Sequence, residues 1–272
     1  MIDFGFKFRP PIVQSALAGI SNRNFCQEIL RYGAGMVTLG GFSIDYESHK
    51  ATIKMIERGR KEFVLPTKQK NARLWCMKNL DLEKLNKHQS INVNIRFSKV
   101  DNLTKMWLKK FTEFVDFIEI NAHCRQEEII NTNGGQSLLI NLESLECLLN
   151  DIRAILPAFP LGIKIRGYLV NEYQIFVRIL DEFSISFIHS DAMLPGHNRA
   201  NIKIIHNLVN STDIPIIGNN SVKTIKDIKT MFEAGAKAVS VARPLIRDPK
   251  FIQRLIRDYT GQKNHGSNNN SL

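Results

Sequence analysis

No stretch of the 272 residues is apolar for the roughly 18 positions that a membrane-spanning helix needs. The N-terminus, MIDFGFKFRPP, lacks the apolar core of a secretory signal. A soluble, intracellular, cytoplasmic protein is therefore expected. Cysteine is scarce: Cys26, Cys76, Cys124 and Cys147 are the four. None forms a CxxC pair or stands near a histidine at ligand spacing, so neither a zinc site nor any other metal site is expected. A disulfide framework is not expected in so long a chain with so few cysteines. Cys26 and Cys147 fall within apolar helical patterns and are expected to be buried packing residues. No GxGxxG follows the first strand pattern, which argues against a Rossmann fold.

Negative charge is also in short supply. Asp and Glu number 26 against 37 Lys and Arg, giving a net charge of +11. That balance suits a polyanionic partner such as RNA, or a phosphorylated ligand. A Lys-rich solvated surface is the other reading. The chain is 43% hydrophobic, enough for a sizeable core in one large domain or two small ones.

Eight apolar, strand-like runs alternate with helical patterns. The strands are expected at 12–16, 36–39, 90–95, 117–121, 161–165, 187–189, 214–218 and 238–241. Gly40-Gly41 marks a sharp turn after the second. Helical spacing shows in Leu103, Met106, Trp107, Phe111 and Phe114, and in Tyr173, Phe176, Val177 and Leu180. Ser21 and Asn22 offer caps, and Thr224 to Asp227 reads as a capping box. Residues 42–89 are the least regular and read as an insertion after strand two, with a helix over 71–80. Such a segment serves as a lid, or as a packed excursion with its own hairpin. Eight β/α units in this length match a TIM (β/α)8 barrel, an α/β fold, better than an open sheet. The barrel is expected over 1–260 and a disordered polar tail over 261–272.

In such a barrel the chemistry lies at the C-terminal ends of the strands. The organising stretch is 115–139, where the fourth strand runs into a loop carrying Cys124. The residues at the strand ends are Asn94, Asn121 with Cys124, Lys164 with Arg166, His189, Gly218-Asn219-Asn220, and Ala242-Arg243. The last two groups suggest a phosphate site, with Gly218 permitting close backbone approach and Arg243 adding charge. Lys164 in an apolar strand is either a cation beside an electron-rich ring or half of an interior salt bridge. His189 has the same two readings. Cys124 is either a proton donor or an ordinary loop thiol.

In order along the chain, QSALAGISNRNF (14–25), IEINAHC (118–124), GGQSLL (134–139), GIKIRG (162–167), His189, IPIIGNNSV (214–222) and VARPLI (241–246) resemble the motif series of the tRNA-dihydrouridine synthases. These are FMN-dependent TIM-barrel reductases. The chain is more closely similar to a shorter archaeal branch, also likened to dihydroorotate dehydrogenases. The resemblance implies FMN as cofactor and NAD(P)H as electron donor. It implies that Ala16, Leu17 and Ala18 line the flavin, and that Asn94 stands where the family has a flavin-contacting glutamine. Lys164 and His189 would contact the isoalloxazine, and Gly218, Asn219, Ala242 and Arg243 would hold the phosphate. Asn121 and Arg166 would face a uracil-like substrate, and Cys124 would be the general acid.

Three departures stand out. The family's Gly-Cys-Pro is His123-Cys124-Arg125, its following basic residues are Glu127-Glu128, and its His-Gly-Arg-Thr is His189-Ser190-Asp191-Ala192. Only 29 residues follow Arg243, too few for the helical domain that grips tRNA, so none is expected. The implied activity is reduction of uridine in tRNA. The rivals are an FMN oxidoreductase of a small pyrimidine-like molecule and a non-catalytic flavin- or phosphate-binding barrel.

Overall fold

The computed structural model describes residues 8–266, with side chains described for 8–261. Eight strands form a closed barrel in sequence order, every neighbouring pair parallel. They are β1 Ile12–Gln14, β2 Met36–Ser43, β3 Ser90–Arg96, β4 Phe117–Ala122, β5 Leu161–Arg166, β6 Phe187–Asp191, β7 Ile216–Asn219 and β8 Ala238–Val241. The helices are α1 Arg23–Arg31, α2 Tyr46–Glu57, α3 Gln69–Asn79, α4 Asn102–Phe111, α5 Glu127–Ile130, α6 Ser137–Ile140, α7 Leu142–Ile155, α8 Tyr173–Glu182, α9 Ile202–Ser211, α10 Ile225–Glu233, α11 Pro244–Arg247 and α12 Phe251–Gly266. The TIM barrel expected from the alternation is the fold observed.

Local chemistry starts the helices as anticipated. The Asn22 side chain accepts from the Phe25 N–H, and Thr224 with Asp227 forms a reciprocal capping box. The Gly40-Gly41 pair does not end β2; the strand runs on to Ser43, with a register shift between Gly40 and Phe42. The tail expected from 261 overlaps α12, and 267–272 lie outside the described residues. Among the described residues no helix is long and apolar enough to cross a membrane. Cys26 is buried, as expected, but Cys147 is exposed on α7. Its neighbours Leu145, Leu148 and Leu149 take the inward face instead.

The segment 42–89 is less of an insertion than its irregular sequence suggests. Trp75 of α3 meets Trp107 of α4 edge to face at 5.4 Å and packs on Phe42 of β2. So α3 is the ordinary crossover helix between β2 and β3. The added part is α2 and an extended strap, 58–65, with no hairpin. Phe63 bridges to Phe42, and the Lys61 backbone lies against Gly19, where a side chain would come within 2.4 Å of it. Glu62 inserts its carboxylate, fully buried, to meet Arg96 at 2.8 Å.

An apolar plug fills the N-terminal end of the barrel: Phe8, Val13, Met36, Phe187, Ile217 and Ala238, with Phe117 stacked edge-on to Phe187 at 5.6 Å. Gly162 leaves the space that the Phe187 ring occupies. A methyl group there would lie 2.1 to 2.6 Å from three ring carbons. Gly162→Ala is expected to destabilise the barrel by about 1–3 kcal/mol through overpacking, read as a lower urea midpoint at unchanged slope.

Candidate active site

Above the plug the barrel interior turns polar. Glu119, pointing inward from β4, has no solvent exposure. Its Oε1 accepts from the Asn94 amide at 2.6 Å and its Oε2 faces His189 Nδ1 at 2.7 Å. Burial alone pushes the Glu119 carboxyl up, but His189, Lys164 and the Asn94 amide hold it below the usual carboxylate range. His189 is itself lowered, first by burial, against the pull of Glu119 and with Lys164 adding to the shift. The consistent arrangement is a neutral ring donating Nδ1–H to the carboxylate. Ser240 Oγ (2.7 Å) and the Asn219 amide (3.1 Å) then donate to Nε2. Lys164 Nζ donates to Ser15 Oγ, and burial lowers its pKa against the opposing charges of Glu119 and Asp191.

Over this layer lies a cavity of about 850 Å³ at the C-terminal ends of β5–β8 and β1. Ala16, Leu17, Lys164, Arg166, Asn219, Ala242 and Arg243 line it, as does His123. The cations Arg125, Lys164, Arg166, Lys223, Arg243 and Arg247 face a single lining carboxylate, Asp191. After β7 the backbone of Asn220 and Ser221 has φ of +95° and +58°. Glycine adopts such φ most freely, yet both positions carry side chains here.

Several expected residues lie elsewhere. His189 sits beneath the floor with both ring nitrogens engaged, so it is a buried member of the Glu119 network and not a lining residue. Asn94 spends its amide on Glu119 and its carbonyl on Asn121 (2.7 Å), and it too is fully buried. Gly218 is off the cavity; its missing side chain makes room for Met231 Sδ, which would lie 2.8 Å from a methyl group there. Ala18 is also outside the lining. Asn121 acts on its own loop: its side-chain carbonyl accepts the backbone N–H groups of His123 (3.0 Å) and Cys124 (2.8 Å). Cys124 is partly exposed but packs beside Ala51, Met55 and Ile129, with its thiol toward Arg96, outside the cavity lining.

The residues missed by reading the sequence are Glu119, Ser15, Ser240 and the pair His123–Asp191. Glu119 had a legible signal: it alternates with Asn121 in an otherwise apolar strand, at an inward-facing period of two. His123 Nε2 lies 2.7 Å from Asp191 Oδ2. Burial, with Lys164 and Arg166, lowers the His123 pKa from 6.5 to about 4 despite Asp191. Asp191 is resisted by burial yet held well below the carboxylate range by His123, Asn220 and the Met193 N–H.

A family model described as dihydrouridine synthase (Dus) matches residues 61–269. The chain belongs to the dihydrouridine synthase family. It is 29% identical over 258 residues to the Uncharacterized protein MJ0144 of Methanocaldococcus jannaschii, covering 93% of this chain and 96% of that one. Its fold is similar to DHODH of Eimeria tenella in complex with ferulenol, at a TM-score of 0.62 and 16% identity, over 92% of this chain and 80% of that one. It also resembles a FabK mutant of Thermotoga maritima, at a TM-score of 0.51 and 12% identity, over 90% and 65%. At these identities the likeness is one of fold.

His123 takes up its proton in the unfolded chain near pH 6.5 but in the fold only near about 4. The unfolded state therefore binds more protons between those values, and stability falls as pH drops through that window. Urea unfolding at pH 7, 5 and 4 is expected to show that loss. His123→Gln should flatten the part between pH 6.5 and 4.

Proposed function

We propose that the protein is an FMN-dependent oxidoreductase that reduces the C5=C6 bond of uridine in tRNA. The observation that carries this reading is the cavity itself. It is a strand-end pocket with six cations against one carboxylate, floored by a buried lysine, in a chain of the dihydrouridine synthase family.

The residues present suit FMN. Ala16 and Leu17, which line the cavity just after β1, are the proposed wall beside the flavin ring. Lys164, tethered to Ser15, presents a cation to an electron-rich ring. Asn219, Ala242 and Arg243 line the end where the backbone after β7 turns through two positive φ angles, a shape that suits a phosphate. When bound and reduced, FMN supplies a hydride to the substrate carbon; NAD(P)H is the proposed source of its electrons.

The chain's own groups do the rest. Arg166, fixed by its Nε bond to the His123 carbonyl at 3.0 Å, lines the cavity and is the proposed contact to the substrate. Asn121 positions the loop that carries His123 and Cys124. Cys124 is the proposed proton donor, its thiol being a group able to pass a proton to the substrate carbon. With its thiol outside the lining, this role requires the reacting ring to sit at the rim on the β4 side.

The second reading is an FMN oxidoreductase of a small pyrimidine-like molecule. It is favoured by the strap, whose Arg58 and Arg60 are already paired with Glu128 (2.8 Å) and Glu62 (3.3 Å) and so are poor free contacts for RNA. A purely binding barrel is the third.

The purified protein is expected to show a flavin visible spectrum and to release FMN by mass; a colourless protein that FMN cannot reconstitute would refute the central reading. Cys124→Ser should retain flavin and lose turnover by about 10²–10⁴-fold in a dihydrouridine assay on unmodified tRNA. Arg243→Ala should weaken FMN binding by about tenfold, the loss of one charged hydrogen bond, as read by equilibrium dialysis. Affinity for tRNA that falls steeply with salt favours the RNA substrate over the small molecule.

A further inference from the structure

The loop after β4 sends two chemically able side chains in opposite directions. The Asn121 carbonyl fixes the backbone at both His123 and Cys124. From that turn His123 enters the cavity lining, while Cys124 packs beside Ile129.

The imidazole is held as firmly as its backbone. Nε2 meets Asp191 Oδ2 at 2.7 Å. Asp191 in turn accepts from the Asn220 amide (2.7 Å) and the Met193 N–H (3.1 Å), with Arg166 Nη1 at 3.6 Å. An ionised carboxylate only accepts, so the Nε2 of His123 carries the hydrogen. In the neutral ring Nδ1 then holds a lone pair. No described residue hydrogen-bonds to it, and the side chain is 24% exposed at the cavity. Donors dominate the surroundings, so an acceptor here is chemically distinct.

The geometry points to His123 as a specificity-determining residue, whose Nδ1 accepts a hydrogen bond from a ring N–H of the substrate. Arg166 stands beside it, with Nε on the His123 carbonyl and Nη2 free of partners among the described residues, to take the adjoining carbonyl oxygen. The two select a ring with N–H next to C=O, an imide or lactam edge, and reject one alkylated at that nitrogen. This inference rests on the uracil-like substrate proposed above. A free nucleotide and a base within RNA offer the same edge.

The test is equilibrium binding of uridine 5′-monophosphate and its N3-methyl derivative to the protein as purified, with whatever cofactor it carries. The expected result is at least about tenfold preference for the unmethylated nucleotide, the cost of an unmade buried hydrogen bond. His123→Phe should bind both alike. In Asp191→Asn the new amide NH2 faces Nε2 and forces the hydrogen to Nδ1, so the preference should also vanish. Imidazole ¹⁵N NMR reads that tautomer directly, independently of turnover and of the behaviour of the Phe variant. An Nδ1–H tautomer in the unaltered protein, or a methyl preference unchanged in both variants, overturns the inference. So does a flavin-loaded protein that binds neither nucleotide or both equally, and that outcome leaves the flavin reading standing. A colourless protein that keeps the His123-dependent preference does the reverse. Displacement of the nucleotide by an unmodified tRNA transcript assigns the edge to RNA, and lack of displacement assigns it to a free nucleotide; both accord with recognition by His123.

Discussion

A carboxylate without solvent at the centre of the barrel sets the terms for everything above it. Glu119 lies over an apolar plug that offers no polar partner, so its charge must be met from the sides or from above. An unpaired buried carboxylate costs several kcal/mol, on the order of what the whole domain has to spare. Asn94, His189 and Lys164 meet that demand, from β3, β6 and β5 respectively. Each is thereby oriented. His189 is fixed in one tautomer, which orients Ser240 and Asn219 as donors toward it. Lys164 is kept near the floor of the cavity and joined to Ser15. The polar layer is thus a chain of consequences of one charge, and it determines which groups face upward.

The mouth of the barrel is divided by a second buried pair. Glu62, from the strap, meets Arg96, whose Nη2 also donates to the Gly41 carbonyl at 3.0 Å. That contact covers the ends of β2 and β3 and leaves the β5–β8 and β1 side open, where the cavity lies. The Asn121 turn sits on the dividing line. One residue of its loop faces the closed side and the next one back faces the open side, which is why Cys124 and His123 have such different surroundings despite being adjacent. The Asn94–Asn121 bond ties this turn to the Glu119 network below. The position of the rim is therefore coupled to the charge balance of the interior.

Much of this was open to a reader of the sequence. The eight strands stood out because strands of a parallel barrel are buried on both faces and read as apolar runs. The caps at Asn22 and Thr224 were legible because they are local chemistry. Roles that depend on what lies across the barrel were not. Strand-end position suggested that His189 and Asn94 face a ligand, yet both turn to Glu119, and the alternation that marks Glu119 as inward-facing does not say which residues of β3 and β6 it meets. Gly218 read as a phosphate glycine, but its space is taken by Met231, from a helix that comes later in the chain. The helix α2 was hidden by its mixed surface, and the strap by having no periodicity at all. Cys147 was misjudged because one polar-tolerant position among leucines carries no mark of which way it faces.

The charge pattern of the cavity bears on what enters it. Six lining cations against Asp191 would repel any cationic ligand and concentrate anions, in a pocket whose walls lower the local dielectric. Asp191 offsets only a part of them: its nearest lining cation is Arg166 at 3.6 Å, and its other partners, His123, Asn220 and the Met193 N–H, are neutral. Lys164 is compensated from below by Glu119, but Arg125, Lys223, Arg243 and Arg247 stand toward the outside of the cavity. A single phosphate deep in the pocket would engage only part of that set. The remainder is exposed along the open side, where a second anionic group of the same or another ligand would meet it. That excess of positive charge suits a ligand with more than one anionic group, and it falls on the side of the mouth that the strap leaves uncovered.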